Sequence, residues 1–348
     1  MKPKTMKEKS KSNSRIMAVY ILLLTALLAT FVVSVCFGNV KIPADRLARL
    51  LFFREGEETE LAILWKIRLP RVLLAMILGG ALALSGYLLQ TFFENPIVGP
   101  FVLGISSGAK LSVAAVMILF LDKIGRMSSF AMVISAFVGA FAVTGFILLA
   151  ARKLTSPSSL LAAGIMIGYI CSAVTELLIS SAEDAHIVGL HGWSQGSFSG
   201  AGWDYVKVSA IVVGISFLLV FFLSKPIGAY LMGEEYAASV GVSVRAFRVM
   251  LILLSSLLAA CVTAFAGPIS FIGIAVPFLV KRALLTARPI AVIPACFLMG
   301  ALMVSLCDFC ARQLLAPTEL KIGVVTSFVG APIVIYMLLK KTKERGIS

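Results

Sequence analysis

Two histidines, a C-x-x-C pair and a glycine–lysine run are the residues whose types and spacing could do chemistry. His186 and His191 share one polar loop, but no H-E-x-x-H surrounds them, so zinc hydrolysis lacks its ligand set. Cys307-Asp308-Phe309-Cys310 has the spacing of half a zinc site, yet no second pair and no nearby histidine completes it. All six cysteines (Cys36, Cys171, Cys261, Cys296, Cys307 and Cys310) fall in or beside apolar runs. There a thiol serves as a small buried hydrophobe. Gly104–Ser112, GISSGAKLS, imitates a phosphate loop. Its spacing is one residue short, and it lies inside an apolar span with no strand before it. No G-x-S-x-G is present, and no carboxylate pair at helical spacing lies within a span. The residues therefore offer no catalytic group, no metal site and no ATP site belonging to this chain.

Ionisable residues within apolar runs are the remaining candidates, because a charge in a membrane lines a pathway or holds a partner. They are Lys110, Glu176, Asp308 and Arg312. Asp308 and Arg312 are four apart on one helix face and can pair. Glu176 is about a turn from the end of its run, so it lines a pathway or reaches the interface. A proton-coupled carrier needs ionisable groups near the midplane, and this chain has almost none there.

The elements that must position these residues follow from hydropathy. Of 348 residues, 59% are hydrophobic and 14% charged, against roughly 25% charged in a soluble domain. Several runs match the ~20 apolar residues that cross a bilayer as a helix, and lipid leaves the backbone no other partner. Ten spans are expected, near 16–36, 70–91, 98–120, 128–151, 158–181, 205–224, 246–266, 270–286, 289–313 and 322–340. The eighth is short and carries Gly273 and Pro277, as a broken or partly crossing helix would. Spans two to four are dense in small residues: Gly79 and Ala83, Ala81 and Ser85, Ser135 and Gly139 are each four apart, which suits close helix packing. The first run is too long for a cleavable signal.

The net charge is +14. Its lysines and arginines fall mainly in the loops between even and odd spans and in both tails, while Glu55, Glu57, Glu58, Glu60, Asp122, Glu183, Asp184 and Asp204 fall in the others. The positive-inside rule then places both termini in the cytoplasm. Nucleic-acid binding has no motif to support it. The fold class expected is an all-α polytopic membrane protein: a basic tail over 1–15, one transmembrane domain over 16–341 and a short tail over 342–348. The outer loop 182–204 should hold a short surface helix, with Trp193 and Trp203 at the interface.

Leu231–Phe247, LMGEEYAASVGVSVRAF, interrupts this pattern with adjacent acids, small residues and two glycines, on the side that charge places inside. Arg68-x-Pro-Arg71 and the long block to Ala109 then resemble the signature of FecCD-type, BtuC-like permeases of iron-chelate, haem and cobalamin ABC importers. GEEYAASVGV (Gly233–Val242), GPISFIGIAVPFLVKR (Gly267–Arg282) and the block Asp308–Leu338 agree in family order. Phe278 stands where the family usually has histidine, and Lys321 where it usually has proline.

The resemblance implies a type II ABC importer permease fold in the bacterial cytoplasmic membrane. It implies a dimer with a second copy or close paralogue, two cytoplasmic ATPase subunits holding ATP and Mg, and an external substrate-binding protein. It assigns ATPase coupling to a segment about 228–245, with Gly233, Glu234, Glu235, Ala237, Ala238, Gly241 and Val242. It assigns binding-protein docking to Arg68, Arg71 and Arg312, and the translocation pathway to Gly164, Gly168, Ser172, Glu176, Thr326, Ser327 and Gly330. The cargo it implies is a ferric siderophore or haem, then cobalamin. An ion-coupled secondary carrier is the alternative from another class.

Overall fold

The computed structural model describes residues 6–38, 46–47, 49–119, 129–154 and 156–345. The first five residues of the basic tail, Asp122 and the last three residues lie outside them. Every long element is a helix, as a chain without water for its backbone requires.

The helices are α1 (Met6–Cys36), α2 (Glu58–Phe92), α3 (Ile105–Leu119), α4 (Ser129–Lys153) and α5 (Pro157–Ile179). After them come α6 (Asp184–Ser194), α7 (Trp203–Phe222), α8 (Ser224–Tyr230), α9 (Glu234–Ser239) and α10 (Val244–Ala266). The last three are α11 (Ile272–Leu284), α12 (Pro289–Gln313) and α13 (Ile322–Arg345). Among the described residues, eight are long and apolar enough to cross a membrane. α3 and α11 fall short: at 1.5 Å per residue, the 13 residues of α11 reach only about 20 Å.

All ten expected spans therefore have a helix, with two corrections. The third begins not at residue 98 but at Ile105, after a 3-10 turn over Pro100–Leu103. Gly104 between them takes a left-handed φ of 72°. The eighth is preceded by the irregular stretch Gly267–Phe271, and Phe271 and Leu285 are left-handed at its two ends. Such backbone is tolerated at membrane depth only inside protein, and Gly267 and Ile269 are buried. The first helix runs back through most of the basic tail to Met6.

α2 is the central post. It packs on α12, α10, α11 and α7, and nearly all its residues from Leu69 onward are buried. The small residues explain the closeness. Gly79 faces the backbone of Gly300, Gly86 that of Gly273, and Gly139 that of Gly108; an added methyl at any of them would collide with main chain. The Ser85 hydroxyl bonds to Ser255 O at 2.8 Å, and the Ser112 and Ser135 hydroxyls meet at 3.0 Å. The spaced small residues thus mark three helix contacts.

The start of α1 and the end of α13 lie at one end of the bundle. Arg15 on α1 donates to Ala283 O near the end of α11, and Arg282 reaches Tyr336 toward the C-terminal end of α13. α8 meets the start of α12 there, through Gly228 and Pro289. At the opposite end, α6 lies across the 182–204 loop as expected. The chain after α6 ties two helices together: Ser197 N donates to Ala266 O and Gly323 N donates to Gln195 O. Trp203 does not simply float at an interface. Its indole donates to Trp65 O at 2.7 Å.

Candidate functional site

The residues singled out for chemistry are used as packing. In GISSGAKLS, Gly104 stands just before α3 and Ile105–Ser112 form the first part of that helix. Cys307 and Cys310 are free thiols one helical turn apart on α12, and no group of potential metal ligands forms among the described residues.

The interruption after α7 folds into two short helices, α8 and α9, joined by Leu231–Gly233. Gly233 takes φ 119° and Gly241 φ 89°, positions that a side chain would strain. Gly241 N donates to Ala238 O and Val242 N to Ala237 O, which closes the C-terminus of α9. Ala237 is fully buried, whereas Ala238 and Glu235 are exposed. Glu234 is half-buried and bonded at its carboxylate. The Tyr230 hydroxyl donates to its Oε1 at 2.8 Å, and Arg248 Nη2 at the start of α10 lies 3.2 Å from the same atom. Burial, then the bond to Glu234, push the Tyr230 phenol above its ordinary value, so it stays a donor. Of the two acids, one is an internal tie and the other a surface group.

The sequence reading missed what this knob shows to its surroundings. Leu231, Met232, Tyr236 and Val240 are exposed, with Met232 at 69%. Exposed apolar side chains in a polar connection mark a contact surface. The signal was present, since Tyr236 and Val240 break an otherwise small and polar run.

At the other end the three arginines meet inside the protein. Arg71 holds Asp308 through Nε and Nη2, the shorter at 3.0 Å, and Glu319 through Nη1 at 2.9 Å. Arg312 Nε lies 3.1 Å from the other oxygen of Asp308. Arg68 donates to Val35 O and Cys36 O, and Arg312 approaches Ser34 O. The network ties α1, α2, α12 and the chain after α12 together. All three arginines are buried. The resemblance implies docking for these arginines; within the chain their guanidinium groups are already bonded. A partner's carboxylates would have to displace bonds already made, and desolvated charges give those up at high cost. The Asp308–Arg312 pair was legible from spacing; Glu319 was not, because only the fold returns it to Arg71.

The pathway candidates divide. Gly164 packs against Leu103, Gly168 against Gly104 and Gly330 against Phe271, so these three close contacts within the chain and do not line an open surface. Thr326 is buried, and the hydroxyls of Thr326 and Ser327 both donate to Gly323 O. Ser172 and Glu176 are exposed on α5, beside Tyr169 and Leu177. Lys110 is half-buried on α3. Phe278 packs near Val334 and Met337, filling the space between α11 and α13.

A helical bundle with a two-helix knob at one end and no catalytic centre among its described residues is the geometry to be compared with known proteins. The model of the FecCD transport family matches residues 26–340. This chain belongs to the FecCD transport family. It is 35% identical over 318 residues to the vitamin B12 import system permease protein BtuC of Citrobacter koseri, covering 91% of this chain and 92% of that one. The BtuC protein of Salmonella typhi is also 35% identical, over 92% of this chain and 94% of its own. A solved structure of an inward-facing metal-chelate type ABC transporter superposes with a TM-score of 0.81 and 26% identity, over 92% of this chain and 98% of that one. The FecCD chain is thus an ABC importer permease with the type II permease fold, a transport subunit and not an enzyme.

Proposed function

We propose that this FecCD permease is the membrane-spanning half of a dimeric importer whose knob faces the cytoplasm and sits on a separate ATPase subunit. The knob carries the proposal. It is braced through Ala237 and the Tyr230–Glu234–Arg248 chain, so it moves as one piece with α10. Its tip is apolar, and lysines and arginines of the same end fit the inner face of a membrane. Two such ATPase subunits, with their ATP and Mg, would drive the cycle; this chain needs no cofactor of its own.

A second copy would cover the exposed apolar faces of α5, with Tyr169 and Leu177, and of α13, with Phe328 and Val329. Ser172 and Glu176 lie on the α5 face that such a partner would confront. An external binding protein would meet the arginine end on what it exposes, Lys66 and Glu319 among others, over the buried network. The cargo we propose is a bulky metal chelate. The resemblance to vitamin B12 permeases at 35% identity supports cobalamin ahead of the ferric siderophore or haem, which membership of the family alone put first.

Uptake of labelled cobalamin, ferric siderophores and haem by a strain lacking this gene tests the cargo: one of the three must fail to enter and be restored by the gene. A cysteine at Ala238 tests orientation. Labelling of that thiol by an impermeant reagent in intact cells would refute the cytoplasmic knob.

A further inference from the structure

Beside the knob lies a cavity of about 870 Å³ between the end of α4, the start of α5 and the start of α10. Phe92, Leu148, Leu160 and Ile252 give it an apolar wall, and Arg152, Arg245 and Arg248 stand around it. Arginine heads at an apolar cavity call for an anion with an apolar body.

Three observations show that this positive charge is not already answered. Among the described residues, Arg152 and Arg245 make no ion pair. Arg248 gives one nitrogen to Glu234, while its Nε is buried without an acceptor. The first turn of α10 has no acidic residue, and the Ser243 side chain caps nothing, so the positive end of that helix adds to the field. By contrast, the Ser156 hydroxyl accepts from Ser159 N and closes the start of α5.

We propose that this cavity binds an anionic phospholipid, its phosphate on Arg152, Arg245 and Arg248 and its acyl chains on the apolar wall. The surroundings favour a lipid over an acidic peptide. The same two helices carry exposed apolar side chains leading away from the cavity, Phe146 and Leu149 on α4 and Met250 and Leu253 on α10. An acyl chain can continue along them; a peptide backbone would leave its polar groups unpaired there. The leaflet facing a cytoplasmic knob is also the anionic one. The occupant would share Arg248 with Glu234 and so touch the brace of the knob.

The test is retention of phosphatidylglycerol against phosphatidylcholine with identical chains, measured by native mass spectrometry on the full chain in mild detergent. Phosphatidylglycerol should be retained about tenfold better. The double substitution Arg152→Gln, Arg245→Gln should erase most of that preference. Leu160→Trp, which fills the cavity and keeps every charge, should lower retention as well. Arg288→Gln, a basic residue outside the cavity, should leave it unchanged. Equal retention of the two lipids by the parent chain, or no loss in either cavity variant, overturns the proposal. Displacement by inorganic phosphate alone, or by an acidic peptide, as effective as that by the lipid would overturn the lipid assignment too.

Discussion

At the arginine end, the side chains of Arg71 and Asp308 are 8% and 3% exposed, and their charges face each other. At the knob end, Met232 is 69% exposed and Tyr236 46%. The first region spends its charge inside the chain; the second shows apolar surface to the outside. Burial costs a charge its hydration, so an isolated arginine could not remain at the first site. Together with Asp308, Glu319 and the carbonyls of α1 it can. The knob does the reverse. It ties its half-exposed acid, Glu234, to Tyr230 and Arg248, and leaves outside the side chains that gain from a partner. A charged motif thus marks internal structure at one end, while a modest tyrosine and methionine mark contact at the other.

Substitutions can break this contrast. Arg71→Glu should cost the most, about 3–5 kcal/mol, because it sets three carboxylates together where two were paired. Thermal unfolding of the purified chain in detergent checks it, and an unchanged midpoint would return Arg71 to the surface role. Gly241→Val should cost about 1–3 kcal/mol by forcing a branched side chain to a φ of 89°. Glu319→Gln should cost under about 1 kcal/mol, since that carboxylate is 41% exposed and solvent screens it. Met232→Asp should leave stability within about 0.5 kcal/mol. It should nonetheless abolish uptake and co-purification with the ATPase subunit. If it lowers the unfolding midpoint as Arg71→Glu does, the knob tip belongs to the core and the contrast is lost.

A third region sharpens the point. The resemblance assigns Gly164, Gly168 and Gly330 to the pathway, and within the chain each packs against a neighbour: Leu103, Gly104 and Phe271. Small residues serve both purposes, because the absence of a side chain admits a helix as readily as a passing cargo. Ser172 and Glu176 stay exposed on the same α5, on the side with no neighbour in the chain. A spacing of four puts Gly164, Gly168, Ser172 and Glu176 along one stripe in the sequence; the structure splits that stripe, because the buried line of the helix runs through Gly164, Gly168, Cys171 and Thr175.

What the sequence determined alone was the class of fold, the ten helical segments, the shortness of the eighth and the interruption after residue 230. Each follows from local rules: lipid forbids unpaired backbone, apolar run length limits how far a helix can reach, and a polar run does not stay in hydrocarbon. The i,i+4 pair Asp308–Arg312 is local in the same sense. Only the tertiary structure decided that Arg71 finds Asp308 and Glu319, that Glu234 turns to Tyr230 and Arg248, and that Met232 points away. Those outcomes depend on which distant residues become neighbours. Whether a charge is a docking group or a buried brace is set by the desolvation and pairing it meets there, and no spacing along the chain encodes that.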